Sequence, residues 1–378
     1  LQEVARRLLG VLRESDTISR PGGDEFVVML EEIGPDRVTA AAMAQSVSRK
    51  TLAELSRPYV LRGREYTGSA SVGMVLFRGH EDAADELLQH AGMAMYAVKC
   101  SGRGVARFFD PHIQAMLERR AAVEAQIRKA VELNQLRLYF QPCVDREGRI
   151  VAAEALLRWF HPERGLVPPG DFIPVCEDNG LIVPVGRWVL EAACAQLQRW
   201  EAERETRDLR LSVNISVKQF RHDGFVAQVL GAVGESGIDP SRLELELTEG
   251  VFLDDTELSI AKMRVLRGAG VLFSLDDFGT GYSSLAYLKK LPLNQIKIDQ
   301  SFVRDIAVDA GDEVIAQTII KMGQSLGLEV VAEGVETEEQ RRRLERYGCE
   351  HYQGYLFGPP MPVQEFEDAV AAGTADSL

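Results

Sequence analysis

The sequence predicts an α/β protein made of a small α/β domain followed by a (β/α)8 barrel in which one strand is antiparallel. Its 378 residues exceed the ~150 residues of an average domain, which indicates two parts. The part after residue 110 is close to the ~250 residues typical of such a barrel. Eight strand-like apolar runs recur in that part with helical patterns between them, and this alternation favours a sheet covered by helices.

The composition is that of an ordinary globular protein, with 46% hydrophobic and 26% charged residues. No apolar stretch approaches the ~18 residues of a membrane span. The formal net charge of −14 argues against sequence-independent binding to a nucleic acid polymer or an anionic membrane. A phosphate-bearing ligand would therefore need locally placed cations or bound metal.

The cysteines are scattered and contain no Cys-x-x-Cys pair, which indicates buried thiols in a reducing, cytoplasmic compartment. They are Cys100, Cys143, Cys176, Cys194 and Cys349. The first residue is Leu1 rather than Met, so we expect the natural protein to continue upstream, where missing segments could anchor it in a membrane.

Residues 1–110 alternate helix and strand patterns, which predicts a small α/β layer domain. Apolar residues recur at helical spacing from Val4 to Leu12. Two short apolar runs, 17–20 and 26–30, flank a glycine turn and predict a β-hairpin. The further predicted elements are a helix over 37–57, a strand over 69–77 and a helix around 87–98.

A helix is predicted to connect the two parts. Residues 111–134 are rich in Ala, Glu, Arg and Gln, lack internal Gly and Pro, and carry apolar residues at helical spacing. We place the first domain at 1–110, the connecting helix at 111–134 and the second domain at 120–378, overlapping that helix.

The barrel strands are predicted from eight apolar runs. These are 136–141, 150–157, 209–216, 243–248, 271–276, 295–299, 328–333 and 348–357. The segment 143–149 between the first two is too short for a parallel crossover, so that pair should be antiparallel.

Polar residues occupy one face of five of these strands, close to the carboxyl ends. In 243–247 the leucines share one face and the glutamates the other. For a single polar strand residue, the simplest explanation is that it faces solvent. Five strands of a closed barrel cannot all do so, because the interior of a barrel is exposed to water only at its mouth. Strand ends at the mouth are where barrel enzymes carry catalytic groups.

The resulting carboxylate-rich cluster predicts a site for Mg²⁺ or Mn²⁺, because these ions prefer oxygen ligands. Its members are Glu154, Asn214, Glu246, Asp276 and Asp277. Adjacent Asp276 and Asp277 can each reach a different ion, which suits a two-metal site with ions about 3.5–4 Å apart. The alternative for Asp277 is a turn-capping residue before Phe278 and Gly279.

The motifs of the second part resemble the EAL-domain phosphodiesterases, which hydrolyse cyclic di-GMP. Residues 154–158 read Glu-Ala-Leu-Leu-Arg, and the match extends over about 120–370. The other matching segments, in family order, are 139–142, 213–216, 246–249, 276–279, 297–299, 333–336 and 353–355.

This resemblance implies a (β/α)8, TIM-like barrel and a role for each matching residue. Glu154, Asn214, Glu246 and Asp276 would bind metal, with Asp277 on the second ion. Lys297 and Glu333 would position and deprotonate the attacking water. The cyclic dinucleotide would contact Gln141, Leu156, Arg158 and Gln353. Glu249 would brace the loop 277–284, including Phe278 and Gly279, which couples metal binding to dimerisation in a homodimer.

The first part resembles the GGDEF diguanylate cyclase family through the run Gly22, Gly23, Asp24, Glu25 and Phe26. Glycines at a hairpin tip allow close backbone approach to a nucleotide, and the carboxylates can hold Mg²⁺. The resemblance implies nucleotide binding at Gly22, Gly23, Asp24, Glu25, Lys99 and Arg103, with Mg²⁺ and GTP as candidate ligands, and an inhibitory site at Arg13 and Asp16. The family's first strand, with its metal-binding Asp, has no counterpart before Leu1, so we expect no cyclase activity from the sequence as given.

These resemblances imply hydrolysis of cyclic di-GMP to linear pGpG, with two Mg²⁺ or Mn²⁺ ions and a regulatory first domain. Two alternatives stay open: a cyclic di-GMP receptor without turnover, and a bifunctional cyclase–phosphodiesterase in the full-length protein.

Overall fold

The computed structural model describes residues 1–61, 64–79, 83–101, 104–252, 256–279 and 288–373. The chain divides into two compact units, Leu1–Val123 and Glu124–Leu378. The division falls within the helix Pro111–Ala130, where the sequence predicts the connecting helix. The exact domain limits stay a prediction. None of the helices in the described ranges is long and apolar enough to cross a membrane.

The first unit contains three pairs of short strands and four helices within its described residues. The strands are β1 Thr17–Gly22, β2 Glu25–Met29, β3 Tyr59–Leu61, β4 Arg64–Tyr66, β5 Val72–Met74 and β6 Ala106–Phe108. The helices are Gln2–Val11, Arg37–Leu55, Ala84–Ser101 and Pro111–Ala130. β1 pairs antiparallel with β2, β3 antiparallel with β4, and β5 parallel with β6.

The predicted hairpin is present, and its turn is tighter than the sequence indicates because β1 runs on to Gly22. The strand predicted over 69–77 is only three residues long, Val72–Met74. Gly73 fixes its packing: a Cβ there would lie 2.0 Å from the backbone oxygen of Ala91 in the helix Ala84–Ser101. Only glycine lets that helix lie so close to β5.

The second unit is a closed barrel of eight strands with one added strand. Its strands are β7 Leu136–Val144, β8 Ile150–His161, β9 Gly165–Val167, β10 Arg210–Ile215, β11 Leu243–Thr248, β12 Leu272–Phe278, β13 Gln295–Ile298, β14 Glu329–Ala332 and β15 His351–Gln353. Strand order runs from β10 to β15, then β7 and β8, and β8 closes the ring on β10. β7 is antiparallel to both neighbours, β8 and β15, which confirms the one reversed strand.

Nine α-helices accompany these strands in the described part of the second unit, eight between strands and one after the last strand. They are Pro169–Asn179, Ile182–Trp200, Val217–Arg221, Phe225–Ser236, Thr256–Gly268, Gln300–Arg304, Ala310–Leu326, Glu338–Tyr347 and Val363–Ala372. The leucine face of β11 (Leu243, Leu245 and Leu247) is fully buried in the main apolar core. Glu244 and Glu246, on its other face, are buried too, at 1% and 2% exposure. The polar face therefore points into the barrel.

Candidate active site

Lys297 lies at the centre of the carboxylates in the barrel. It is on β13, between β12 and β14, and is only 1% exposed. Its Nζ lies 2.5 Å from Glu333 Oε1, 2.9 Å from Glu246 Oε1, 3.4 Å from Glu154 Oε2 and 3.6 Å from Asp276 Oδ1. Burial alone would lower the pKa of Lys297, but the surrounding carboxylates, Asp276 foremost, raise it well above its usual value. Lys297 is thus a fixed positive charge.

Glu154 is held by two amides from distant parts of the chain. Asn214 donates to its Oε1 at 2.6 Å and Gln353 donates to its Oε2 at 2.6 Å. Gln353 also donates to Gln141, 3.2 Å away. Burial opposes ionisation of Glu154, yet Lys297 and these donors keep its pKa below the usual value. The structure therefore brings together four residues that the sequence assigns to metal or substrate.

A second carboxylate group forms at the strand ends. One carboxylate oxygen from each of Asp276, Asp277 and Glu333 lies within 4.8 Å of the other two, a spacing that could hold a metal ion. Burial raises the pKa of Glu333 to about 8, against the opposing charge of Lys297. Glu333 thus groups with the two aspartates, while its predicted part in positioning water stays a prediction.

The donor set fits divalent cations. Burial, and then the neighbouring Glu154, raises the pKa of Glu246 well above its usual value, because several carboxylates share one lysine. Two buried oxygens, Glu246 Oε2 and Asp276 Oδ1, have no hydrogen-bond partner among the described residues. Oxygen donors in excess of protein cations are what Mg²⁺ and Mn²⁺ bind, and the ions would relieve this repulsion.

Asp277 has an unusual backbone at the end of β12. Its φ of +54° is in the left-handed region, which a non-glycine residue rarely adopts. Burial, and then Asp276, raises its pKa to about 6, and it forms a side-chain hydrogen bond with Asp299. Such backbone outliers cluster at functional sites. Sequence reasoning gave Asp299 no role, although it belongs to the matching segment 297–299 and directly follows β13, and that position could have signalled it.

Glu249, predicted to brace the loop 277–284, contacts the described start of that loop. Glu249 Oε1 accepts a hydrogen bond from the backbone N–H of Gly279 at 3.4 Å. Gly279 has φ +104°, and a Cβ there would lie 2.9 Å from a ring carbon of Phe302, so glycine is required. Phe278 beside it is buried in the core. The rest of the loop, 280–284, lies outside the described residues.

Three of the four predicted substrate residues lie on β7 and β8, and Gln353 lies on β15. Gln141 pairs with Glu154 in the register of these strands, and Leu156 pairs with Tyr139. The Arg158 guanidinium carbon stands 5.6 Å from the centre of the Tyr139 ring. Burial lowers the pKa of Arg158. An arginine beside an aromatic ring suits a planar, anionic ligand.

The nucleotide candidates of the first unit lie on two elements. Gly22, Gly23, Asp24 and Glu25 form the exposed tip of the β1–β2 hairpin, where Gly23 has φ +56°. Lys99 is exposed near the end of the helix Ala84–Ser101. Arg103 lies outside the described residues.

The Arg13–Asp16 pair is the candidate inhibitory site. Asp16 Oδ2 accepts from the backbone N–H of Arg13 at 2.8 Å, while the Arg13 side chain is exposed. The aspartate therefore caps a turn and leaves the guanidinium on the surface.

Relatives of known name match almost the whole chain. The "Bifunctional diguanylate cyclase/cyclic di-GMP phosphodiesterase MucR" of Pseudomonas aeruginosa is 41% identical over 98% of this chain and 53% of its own length. The "Cyclic di-GMP phosphodiesterase PdeR" of Escherichia coli is 35% identical over 97% of this chain and 54% of its own length. The chain thus spans about half the length of the curated relatives it matches.

Solved structures match the second unit. The "PaMucR Phosphodiesterase, c-di-GMP complex" has a TM-score of 0.63 and 43% identity, and the match covers 65% of this chain and 99% of that one. The EAL domain of Mycobacterium smegmatis DcpA has a TM-score of 0.55 and 37% identity, over 64% of this chain and 98% of that one.

Two family models match the sequence itself. The model described as "Diguanylate cyclase, GGDEF domain" matches residues 1–105, and the model described as "EAL domain" matches residues 124–360. The chain therefore belongs to the EAL-domain family, in the tandem arrangement in which a GGDEF domain precedes the barrel.

Proposed function

We propose that the barrel is a Mg²⁺- or Mn²⁺-dependent phosphodiesterase that hydrolyses cyclic di-GMP to linear pGpG. The observation that carries this proposal is Lys297 buried among four carboxylates at the barrel mouth, with Glu246 and Asp276 each retaining a buried oxygen without a described hydrogen-bond partner. The names of MucR and PdeR, and the cyclic di-GMP complex of the MucR domain, support this substrate.

In this mechanism, bound metal would lower the pKa of water and neutralise charge on the phosphate. Glu154, Asn214, Glu246 and Asp276 would hold one ion, and Asp277 would contribute to the second. Water would add to phosphorus and lose a proton to Glu333, and the bond from phosphorus to one ribose 3′ oxygen would break. That oxygen takes up a proton and leaves as a hydroxyl, and the linear dinucleotide keeps a 5′ phosphate.

Lys297 and Glu333 would have separate tasks: Lys297 would stabilise the negative charge that grows on the phosphate, and Glu333 would deprotonate the attacking water. Lys297 supplies a positive charge that needs no reorganisation during the reaction. Glu333, 2.5 Å from Lys297 and grouped with Asp276 and Asp277, is placed to accept the proton of the attacking water.

Substrate would lie against Gln141, Leu156, Arg158 and Gln353. Gln353 donates to both Glu154 and Gln141, so one side chain connects the proposed metal ligands to the proposed nucleotide contacts. Arg158 beside Tyr139 offers a charged plane and a ring for the nucleotide.

The direct test is product analysis. The purified chain is incubated with cyclic di-GMP and Mg²⁺ or Mn²⁺, with an EDTA sample alongside, and the products are separated by chromatography. We expect pGpG only with metal. Tight binding of unchanged cyclic di-GMP would instead favour the receptor without turnover.

A homodimer formed by the barrel is part of this proposal. Exposed apolar side chains that could pack against a second copy occur before and within the helix Ala310–Leu326: Val308 is 85% exposed, Val314 59% and Ile315 38%. Light scattering of the wild-type chain and of Val314→Glu tests it, with a dimer expected only for the wild type.

A further inference from the structure

A small polar chamber lies inside the barrel beside Lys297. Its volume is about 10 Å³, and its polar lining includes Ser212, Glu244, Glu246, Gln295 and Lys297. That volume is close to one water-sized sphere, the minimum for holding a water molecule. The chamber is thus large enough for one water and too small for an organic ligand.

Two unsatisfied acceptors belong to this lining. Glu244 Oε1 and Glu246 Oε2 are buried and have no hydrogen-bond partner among the described residues. Glu244 is 1% exposed, and its other oxygen accepts from Ser212 Oγ at 3.4 Å. The two glutamates are two residues apart on one face of β11, roughly 6.6–6.8 Å along the strand. Both side chains therefore line the same chamber as neighbours.

We propose that the chamber binds one buried water that donates to both Glu244 and Glu246, and that Glu244 thereby positions Glu246 for metal binding. The inference rests on the proposed function through the metal site. A water has two hydrogens to donate, which matches the two acceptors. A buried carboxylate oxygen without a hydrogen-bond donor destabilises the folded state, so a water that donates to both oxygens would stabilise the barrel interior.

The bridge would act through the orientation of Glu246. Glu246 Oε1 already lies 2.9 Å from Lys297 Nζ, so a donor on Oε2 would stop the carboxylate from rotating. Each carboxylate oxygen has two lone pairs, so Oε2 can accept from the water and still bind a metal ion. Loss of such outer partners of metal ligands typically costs about 10- to 100-fold in metal affinity or activity. Glu244 is therefore a positioning residue that does not touch substrate.

The test compares Glu244→Ala and Glu244→Gln with the control Ser274→Ala. Ser274 is fully buried in the barrel and bonds Gln295, but it does not line the chamber. Mn²⁺ affinity is measured by calorimetry, and kcat and KM are measured for cyclic di-GMP. For Glu244→Ala we expect Mn²⁺ affinity and kcat to fall about 10- to 100-fold with KM unchanged. Glu244→Gln, which still accepts a hydrogen bond, and Ser274→Ala should stay within about threefold.

Among the variants, two results would overturn the proposal: wild-type Mn²⁺ affinity in Glu244→Ala, or equal losses in Glu244→Ala and Glu244→Gln. A high-resolution crystal structure of the wild-type chain gives an independent check that needs no variant to fold. It should show a water within hydrogen-bonding distance of Glu244 and Glu246, and a dry chamber contradicts the idea. The two proposals can fail separately. If Glu244→Ala loses Mn²⁺ affinity but the wild-type chain does not hydrolyse cyclic di-GMP, this inference is upheld and the proposed function is rejected.

Discussion

Residue by residue, the barrel interior is governed by a charge imbalance. Lys297 contacts Glu154, Glu246, Asp276 and Glu333, so one cation faces four carboxylates before any metal binds. Removing one partner from a buried ion pair usually destabilises a protein. Here, however, negative charge is in excess, and neutralising a single carboxylate should be tolerated.

Asp276→Asn tests this balance. We expect hydrolysis of cyclic di-GMP to be abolished, because an amide is a much poorer metal ligand, while the fold stays intact. The measurements are turnover under saturating Mg²⁺ and a circular dichroism melt. Asp208→Asn is the control, since Asp208 is exposed and precedes β10, at the opposite end of that strand from Asn214. Near-wild-type turnover in Asp276→Asn would reject its assignment as a ligand.

For β11 the sequence predicted the face on which the glutamates lie, but not how deep in the barrel each one is. Alternation in β11 places Glu244 and Glu246 on the same face, yet nothing in it distinguishes the mouth from the interior below. Gln353 donates a hydrogen bond to Glu154, which is 199 positions away in the sequence. Only the family resemblance could place these two residues in one site before the structure was known. Long-range pairs of this kind depend on barrel closure, which no local pattern encodes.

At the scale of elements, long periodic segments were predicted well, whereas three-residue strands were either predicted too long, as β5 and β15 were, or not predicted at all. β11 has the predicted bounds, whereas β3, β4, β6 and β9 are too short for alternation to show. The end of β12 is a further departure from local rules. Asp277 has a left-handed backbone, and Gly279 lies against Phe302, so tertiary contacts determine the conformation there.

Gly279→Ala tests whether the close packing at the end of β12 is needed for activity and stability. The new Cβ would meet Phe302 at 2.9 Å with φ +104°, so we expect at least a tenfold loss of activity and a melting temperature several degrees lower. Gly237→Ala is the matched control, because Gly237 has φ +70° at a helix end with open space around it. It should cost only about 1 kcal/mol of stability and leave turnover unchanged. Equal effects of the two substitutions would show that the contact with Phe302 is irrelevant.

For the whole molecule, metal binding should couple to stability. The carboxylates come from β8, β11 and β12, with Glu333 following β14, so an ion bound among them would connect much of the ring. A ligand at one hundred times its Kd stabilises the folded state by about 2.7 kcal/mol. We therefore expect Mn²⁺ to raise the melting temperature by several degrees, EDTA to reverse the rise, and Asp276→Asn to lack it. If Mn²⁺ does not change the melting temperature of the wild-type chain, binding at this site is contradicted.

The final prediction concerns the first domain as a regulator. The hairpin tip Gly22–Glu25 is exposed, with Arg20 donating to the Gly23 carbonyl oxygen at 2.6 Å, and the helix Pro111–Ala130 contributes residues to both units. GTP bound at the hairpin can act on the barrel only if it binds two states of the protein with different affinity. A coupling of about 1–3 kcal/mol would change the apparent affinity for cyclic di-GMP about 5- to 150-fold.

We expect GTP to shift the apparent KM for cyclic di-GMP within that range in the wild-type chain. The double variant Asp24→Ala/Glu25→Ala should not respond, because it lacks the hairpin carboxylates that would hold Mg²⁺ with the nucleotide. Hydrolysis rates are measured for both proteins with and without GTP, and direct GTP binding is followed by calorimetry. If GTP binds the wild type yet all four rates are equal, the nucleotide does not distinguish two states of the protein, and the first domain serves the barrel only as a scaffold.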